Sequence, residues 1–219
     1  AAFARLLNES GNGGVIIVGS VDAEGQISDF SNKAGSQRTS YLTALGEAIC
    51  CSYENGQLYV DPQGFIYLMS GTSFSAPQVS GAAALLAQAF PNLTGTQIAQ
   101  ILLNSAFDVG APGADPVYGR GILDIYRAFQ PIGTTSLAGT AQAVALSDVT
   151  GTGSPAMGDA LGTASLPAIV LDQYQRAFET DLAGTLRGAV PMHRLRQAVG
   201  TQQRLVSLGS DKTSLAFSI

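Results

Sequence analysis

The chain of 219 residues contains no tryptophan, only two cysteines and a single histidine, His193. One histidine without a Cys/His cluster excludes the usual zinc sites, which need several such ligands at short spacing. Cys50 and Cys51 are adjacent, which excludes a normal loop-closing disulfide between them. We expect two buried free thiols, with a strained vicinal disulfide as the alternative.

Charged residues are also scarce, at 12% of the chain. No apolar run is long enough to span a membrane, and the first ten residues lack the basic start and cleavage site of a signal peptide. We therefore expect the chain to carry no targeting signal of its own.

The net charge of −5 is unevenly distributed. Residues after 184 carry five basic side chains and one acidic one, so this tail has a charge of +4 and the rest has −9. Either the tail is solvated or docked on its own acidic body, or it is attracted to an anionic membrane surface or partner. Nucleic-acid binding is not expected, because the basic residues lack interleaved aromatics and the total charge is acidic.

Apolar residues make up 46% of the sequence, and 26 glycines and nine prolines accompany them. This composition favours an α/β or β-rich protein with one main domain and an appendage. The run "GVIIVGSVD" from Gly14 predicts a buried strand of a parallel sheet, and "YLTALG" predicts a second strand. Residues 56–71 predict a hairpin that turns at Asp61–Gly64.

Two longer helices are predicted to follow. Residues 73–90 are apolar on nearly every face, so we expect a buried helix with Pro77 in its first turn. Gly81 would weaken a helix interior, which predicts close backbone contact with the sheet. Thr94 and Gln97 form the pattern of a capping box at the start of the second helix. A short helix should then end before Pro131.

The composition changes at about residue 132, where Gly, Ser, Thr and Ala become abundant. We predict a linker over 132–167 and a C-terminal extension over 168–219. Val170, Tyr174, Phe178 and Leu182 recur every four residues, which favours a helical face, with an edge strand as the alternative. The final "TSLAFSI" predicts a strand.

The segment "SGTSFSAP" at residues 70–77 places Ser73 at the start of the predicted buried helix. This segment resembles the nucleophile segment of the subtilisin-like serine proteases. The matching residues are Gly71, Thr72, Ser73, Ala76 and Pro77, followed by Val79, Gly81, Ala82, Ala83 and Ala84. The resemblance covers about residues 14–131. The sequence around "FSN" and the segment "LDQYQRAFETDLA" are most similar to autotransporter members of that family.

This resemblance implies an α/β fold with a partial subtilisin-like parallel sheet and residues 1–131 as the C-terminal portion of a peptidase domain. It implies that Ser73 is the catalytic nucleophile and that its backbone N–H binds the oxyanion. Gly71 would permit a close approach and unusual dihedral angles before the nucleophile. A peptide or protein substrate and no cofactor are expected, with structural calcium left open. The parent protein would be secreted or lie at the surface of a Gram-negative bacterium, with an outer-membrane barrel.

The resemblance also exposes an incomplete catalytic set. In this family the chain order is Asp, His, Ser, but only 72 residues precede Ser73 and none of them is histidine. We therefore expect an N-terminal fragment of the same protease to supply the Asp and the His, so that this chain alone is inactive. Asn12 is a candidate for the oxyanion asparagine. Against it, the predicted strand reaches Val15 only three residues later, whereas the family has a longer excursion between that asparagine and the strand. The alternative is that Asn12 is a turn residue beside glycine.

Two rival interpretations stay open. An α/β-hydrolase esterase could use Ser73, either Asp124 or Asp172, and His193, but position 75 is Ser where that family's motif requires Gly. Alternatively, the chain is a non-catalytic fragment with a structural or secretion-related role.

Overall fold

The computed structural model describes residues 2–11, 13–50, 53–140, 142–144, 146, 151–153, 165–188, 205–207 and 214–216. The chain forms two compact units. The first comprises Ala1–Gly133 with Gln173–Arg176, and the second comprises Thr134–Asp172 with Ala177–Ile219. The division into a peptidase portion, a linker and an extension stays a prediction.

The described part of the first unit contains a parallel pair of strands, a short antiparallel hairpin and four α-helices. Its elements are α1 (Ala2–Ser10), β1 (Ile17–Val21), β2 (Tyr41–Leu45), β3 (Tyr53–Glu54), β4 (Gln57–Leu58), α2 (Thr72–Ala89), α3 (Gly95–Ser105) and α4 (Ile125–Ala128), with a 3₁₀ helix at Gly35–Ser40. Strands β1 and β2 are parallel, with Ile17 opposite Tyr41 and Val21 opposite Leu45. Both predicted parallel strands are therefore confirmed.

The core of this unit lies where β2 meets α2 and α3. Its buried side chains are Leu42, Ala44, Val79, Ala82, Leu86, Ile101, Leu102, Leu103 and Ala128. Helix α3 begins with the predicted capping box: the Thr94 hydroxyl accepts from the Gln97 N–H, and the Gln97 side chain accepts from the Thr94 N–H at 2.8 Å. Helix α4 ends before Pro131, as the sequence predicts.

Helix α2 departs from the prediction that it is buried on nearly every face. Only one stripe is buried, formed by Ser75, Val79, Ala82 and Leu86. Leu85, off this stripe, is 48% exposed. Gly81 is also exposed, and a Cβ added there would meet no atom within 4 Å. The predicted contact between Gly81 and the sheet is therefore wrong, because β1, β2 and α3 cover only one side of the helix.

The predicted hairpin lies earlier in the sequence than expected. Strands β3 and β4 are antiparallel and join through Asn55 and Gly56, whose φ angles are 53° and 77°. Two positive φ angles are what a tight two-residue hairpin turn requires, and Asn-Gly is its preferred sequence. Asp61–Gly64 does form a turn, with Gly64 N–H donating to the Asp61 carbonyl, but no strands flank it.

The described residues of the second unit form mainly short strands. They are β5 (Ser136–Leu137), β6 (Gly151–Gly153), β7 (Pro167–Leu171), β8 (Ala177–Asp181), β9 (Leu186–Gly188), β10 (Leu205–Ser207) and β11 (Ser214–Ala216), with a 3₁₀ helix at Leu182–Thr185. β5, β7 and β8 form an antiparallel sheet in which Val170 faces Phe178. The strand alternative therefore holds here and the helical preference is wrong. The predicted C-terminal strand is confirmed at β11.

None of the helices in the described part of the chain has both the length and the apolarity needed to cross a bilayer.

Substitution of two glycines tests the exposure of α2, because Gly81 faces open space and Gly46 is closely packed. Gly81→Ala should raise the free energy of unfolding by about 1 kcal/mol, because alanine favours helix and the space is open. Gly46→Ala should lower it by about 1–3 kcal/mol, since overpacking strains a core; its Cβ would lie 2.2 Å from Ser75 Oγ and 2.6 Å from Ser20 Oγ. Urea unfolding of both variants measures these changes. A loss of stability in Gly81→Ala would show that this face of α2 is covered in solution.

Candidate active site

Ser73 is the second residue of α2, and its side chain is exposed. The residue that caps the helix is Gly71, which offers no side-chain hydrogen bond, so Ser73 does not act as the N-cap. The backbone N–H groups of a first helical turn have no partner within the helix, and the helix dipole places positive potential there. Ser73 therefore combines an accessible hydroxyl with an N–H suited to an anionic oxygen.

Backbone hydrogen bonds hold this turn at the carboxyl ends of the parallel strands. Gly71 N–H donates to the Gly46 carbonyl at 2.7 Å, and Gly46 N–H donates to the Val21 carbonyl at 3.0 Å. Gln78, one turn along α2, donates from its side-chain amide to the Leu45 carbonyl at 2.7 Å. Ligands of open parallel α/β sheets bind at this edge.

The two glycines of this junction allow the chain segments to approach closely. Gly46 has no room for a Cβ, as described above. Gly71 has φ 162°, an extended conformation that any residue adopts, so the expectation of unusual dihedral angles there is wrong. A Cβ on Gly71 would nevertheless lie 3.2 Å from Ser73 Oγ. Its absence leaves space beside the hydroxyl.

The motif contains a second serine with a different environment. Ser75 is fully buried, and among the described residues its hydroxyl has no hydrogen-bond partner. The neighbouring Ser20 is satisfied, since its hydroxyl lies 2.9 Å from that of Ser28 and its N–H donates to Ser31 Oγ at 2.9 Å. Of the two motif serines, only Ser73 is accessible to a substrate.

Residues 46–71 form a long excursion between β2 and α2. Ile49 and Met69 exchange two backbone hydrogen bonds at 2.8 and 2.9 Å and close its base together with the Gly46–Gly71 bond. Ala48 N–H also donates to Ser70 Oγ at 3.0 Å. The excursion is thus attached at both ends to the segment that carries Ser73.

The turn inside the excursion is organised by one carboxylate. Asp61 accepts from the Tyr67 hydroxyl at 2.6 Å and from the N–H groups of Phe65 and Gln63 at 2.8 and 2.9 Å. The Tyr67 hydrogen bond, followed by those from the backbone, lowers the pKa of Asp61 below its ordinary value. The same carboxylate raises the pKa of Tyr67. The signal for this turn was "DPQG", because aspartate favours such side-chain-to-backbone bonds.

Four other residues are candidates for catalysis or oxyanion binding on sequence grounds. Asp124 caps α4, with its carboxylate accepting from the Arg127 N–H at 2.8 Å, so this residue has a structural function. Asp172 is buried and belongs to the second unit. Asn12 and His193 lie outside the described residues, so their assigned roles stay predictions.

The expectation of buried free thiols is wrong for Cys50, and the alternative of a disulfide holds for it. Cys50 is disulfide-bonded and exposed, not a buried free thiol. Cys51 lies outside the described residues. Among the described side chains, no three His, Cys, Asp or Glu residues converge in a way that could hold a metal ion.

The stability of the turn at Asp61 should depend on pH. Because the folded pKa of Asp61 is lowered, its stabilisation is present above the unfolded pKa and is lost as pH falls through the folded value. We expect the NMR amide shifts of Gln63 and Phe65 to titrate together with a midpoint below about 3.9, the ordinary aspartate pKa. Asp61→Asn should abolish the titration. A midpoint at or above the ordinary value would contradict these hydrogen bonds.

The part of the chain that contains Ser73 is similar in sequence to known proteins. The sequence profile of the subtilase family matches residues 3–121. Serotype-specific antigen 1 of Mannheimia haemolytica is 35% identical over 108 residues, which are 49% of this chain and 12% of that protein. The Neisserial autotransporter lipoprotein NalP of Neisseria meningitidis is 47% identical over 60 residues, 27% of this chain and 6% of that protein.

An extracellular serine protease of Serratia marcescens is 30% identical over 143 residues, 58% of this chain and 13% of that protein. The chain thus spans only 6% to 13% of the length of these three relatives. Among solved structures, MycP1 from the ESX-1 type VII secretion system is 34% identical, with 53% of this chain and 30% of that one covered and a TM-score of 0.43. The patellamide maturation protease PatA is 35% identical, with 53% and 42% covered and a TM-score of 0.40.

Proposed function

This chain belongs to the subtilase family, and we propose that it carries the nucleophile, Ser73, of a serine endopeptidase. The observation that carries the proposal is the contrast within the motif: Ser73 is exposed in the first turn of α2, while Ser75 is fully buried. The hydrogen bonds through Gly71 and Gly46 support it, because they hold that turn at the carboxyl edge of β1 and β2.

In the proposed reaction, Ser73 Oγ attacks the carbonyl carbon of the scissile peptide bond. A base takes the hydroxyl proton and passes it to the leaving amine, which gives an acyl-enzyme that water hydrolyses. Negative charge on the former carbonyl oxygen is stabilised by N–H donors fixed in advance, of which the Ser73 N–H is one. Asn12 is the proposed candidate for a side-chain donor. This chemistry uses no cofactor, and structural calcium is left open.

The base is proposed to be an imidazole from polypeptide outside residues 1–219, together with the aspartate that orients it. The support is in the sequence: His193 is the only histidine, and it follows Ser73 by 120 positions, against the family's order. A serine hydroxyl without a base is a poor nucleophile. The 219-residue chain by itself is therefore proposed to be inactive.

The substrate is proposed to be a peptide or protein, and the site of action the exterior of a Gram-negative bacterium. Support comes from relatives whose names describe an autotransporter lipoprotein and an extracellular serine protease. An outer-membrane barrel in the parent protein is proposed on the same basis.

A fluorophosphonate probe applied to the parent protease that contains this chain tests the nucleophile. We expect covalent labelling at Ser73, located by peptide mass spectrometry. Ser73→Ala should abolish labelling and lower kcat by roughly 10⁶-fold, the loss seen when subtilisin loses its serine. Ser75→Ala is the matched control and should keep both, because Ser75 is buried. Absence of labelling in every assembly would overturn the proposal in favour of a structural or secretion-related role.

Replacing His193 separates the protease from the esterase alternative. If the base comes from outside this chain, His193→Gln should leave peptide hydrolysis and ester hydrolysis by the parent protease unchanged. The esterase alternative predicts that both labelling of Ser73 and ester hydrolysis collapse. Initial rates with a chromogenic ester and a chromogenic peptide measure the difference.

A further inference from the structure

The excursion presents two runs of large apolar side chains to solvent, one on each side of the Asp61–Gly64 turn. We call Tyr59, Val60, Phe65, Ile66, Tyr67 and Leu68 the apolar loop surface; their exposed fractions range from 38% to 64%. Single exposed apolar residues are ordinary, but a contiguous set marks a binding surface. Nothing in the proposed acyl-transfer step uses these side chains.

This surface has a defined conformation. Asp61 joins its two halves by accepting from the Phe65 N–H and the Tyr67 hydroxyl. The Ile49–Met69 pair closes the segment immediately after Leu68. A surface ordered before binding loses less conformational entropy when a ligand associates.

The surface also lies close to the proposed nucleophile in the sequence. Four residues separate Leu68 from Ser73, and one of them, Gly71, is fixed by its hydrogen bond to Gly46. An extended polypeptide covers about 3.3 Å per residue, so one that contacts the surface reaches Ser73 within a few residues.

Charge indicates the chemistry of the partner. Between Arg38 and Arg120 the sequence has no lysine, arginine or histidine, whereas the excursion carries Glu47, Glu54 and Asp61. Among these, Glu54 is exposed on β3. An apolar surface on a stretch of sequence whose only charged residues are acidic favours a ligand that is apolar and basic, because opposite charges steer association.

We propose that the apolar loop surface is a substrate-recognition surface of the protease and that it binds polypeptide segments combining aromatic or aliphatic side chains with lysine or arginine. This inference rests on the proposed function, since it identifies the substrate class of the same site. The apolar side chains provide the contact area, and the exposed carboxylate of Glu54 discriminates against acidic segments.

The test measures binding separately from catalysis. The full 219-residue chain carrying Ser73→Ala is titrated into fluorescently labelled twelve-residue peptides of three compositions: Phe with Lys, Phe with Glu, and Ser with Lys. Fluorescence anisotropy gives the Kd values. We expect the Phe/Lys peptide to bind at least about tenfold more tightly than either other peptide, a difference of about 1.4 kcal/mol. Added salt should weaken this preference over the Phe/Glu peptide through screening.

Matched variants locate the surface. Phe65→Ser and Leu68→Ser should each weaken binding of the Phe/Lys peptide about fivefold or more, as for side chains that contribute substantially to an interface. Tyr126→Ser, at a side chain 76% exposed on α4, should have no effect. Glu54→Lys should reduce the preference for the basic peptide, and Glu24→Lys, another exposed carboxylate position, should not. Circular dichroism spectra confirm that each variant is folded.

Three outcomes overturn the inference. The first is equal affinity for the Phe/Lys and Phe/Glu peptides, and the second is an equal effect of Phe65→Ser and Tyr126→Ser. The third is that Phe65→Ser or Leu68→Ser changes the oligomeric state, measured by sedimentation, without changing peptide affinity. That result would make the surface a contact between copies of this chain. Labelling of Ser73 in the parent protease without peptide selectivity removes this inference alone. Selective binding without labelling overturns the proposed function and, with it, the assignment of the bound peptide as substrate.

Discussion

The hydrogen bond from Gly71 N–H to the Gly46 carbonyl is the constraint on which the candidate site depends. It joins the start of α2 to the end of β2, and the bond from Gly46 to Val21 extends the connection to β1. The junction is tight enough that a Cβ at position 46 would overlap Ser75 and Ser20. Because a helix start and two strand ends meet there, the free N–H groups and positive dipole of α2 face the edge where a substrate can approach.

The different environments of the two motif serines follow from the same junction. Ser75 belongs to the stripe of α2 that packs onto the strands, so its hydroxyl is enclosed. Ser73 precedes it by two positions, about 200° around the helix axis, and therefore faces away from that stripe. The excursion 46–71 begins and ends at this junction, so its two ends are anchored beside the start of α2. Its apolar loop surface also lies close to Ser73 in the sequence.

Features set by local chemistry were predictable. The Thr94 capping box, the extended conformation of β1 and of β2, and the turn at Asp61 each depend on residues within a few positions of one another. Features set by distant contacts were not. The prediction for Gly81 assumed a covering layer, and the exposed position has none. The four-residue recurrence from Val170 to Leu182 matched a helix, yet Val170 and Phe178 lie on paired strands whose turn contains Tyr174.

The sequence alone determined that a family motif surrounds Ser73 and that no histidine precedes it, because these are properties of residue order. It also determined the absence of basic residues between Arg38 and Arg120. Only the tertiary structure decided which motif serine is accessible, which face of α2 is covered, and that Asp124 caps a helix. Periodicity tells which side chains share a face, but burial depends on what packs against that face, and those contacts come from residues far apart in the chain.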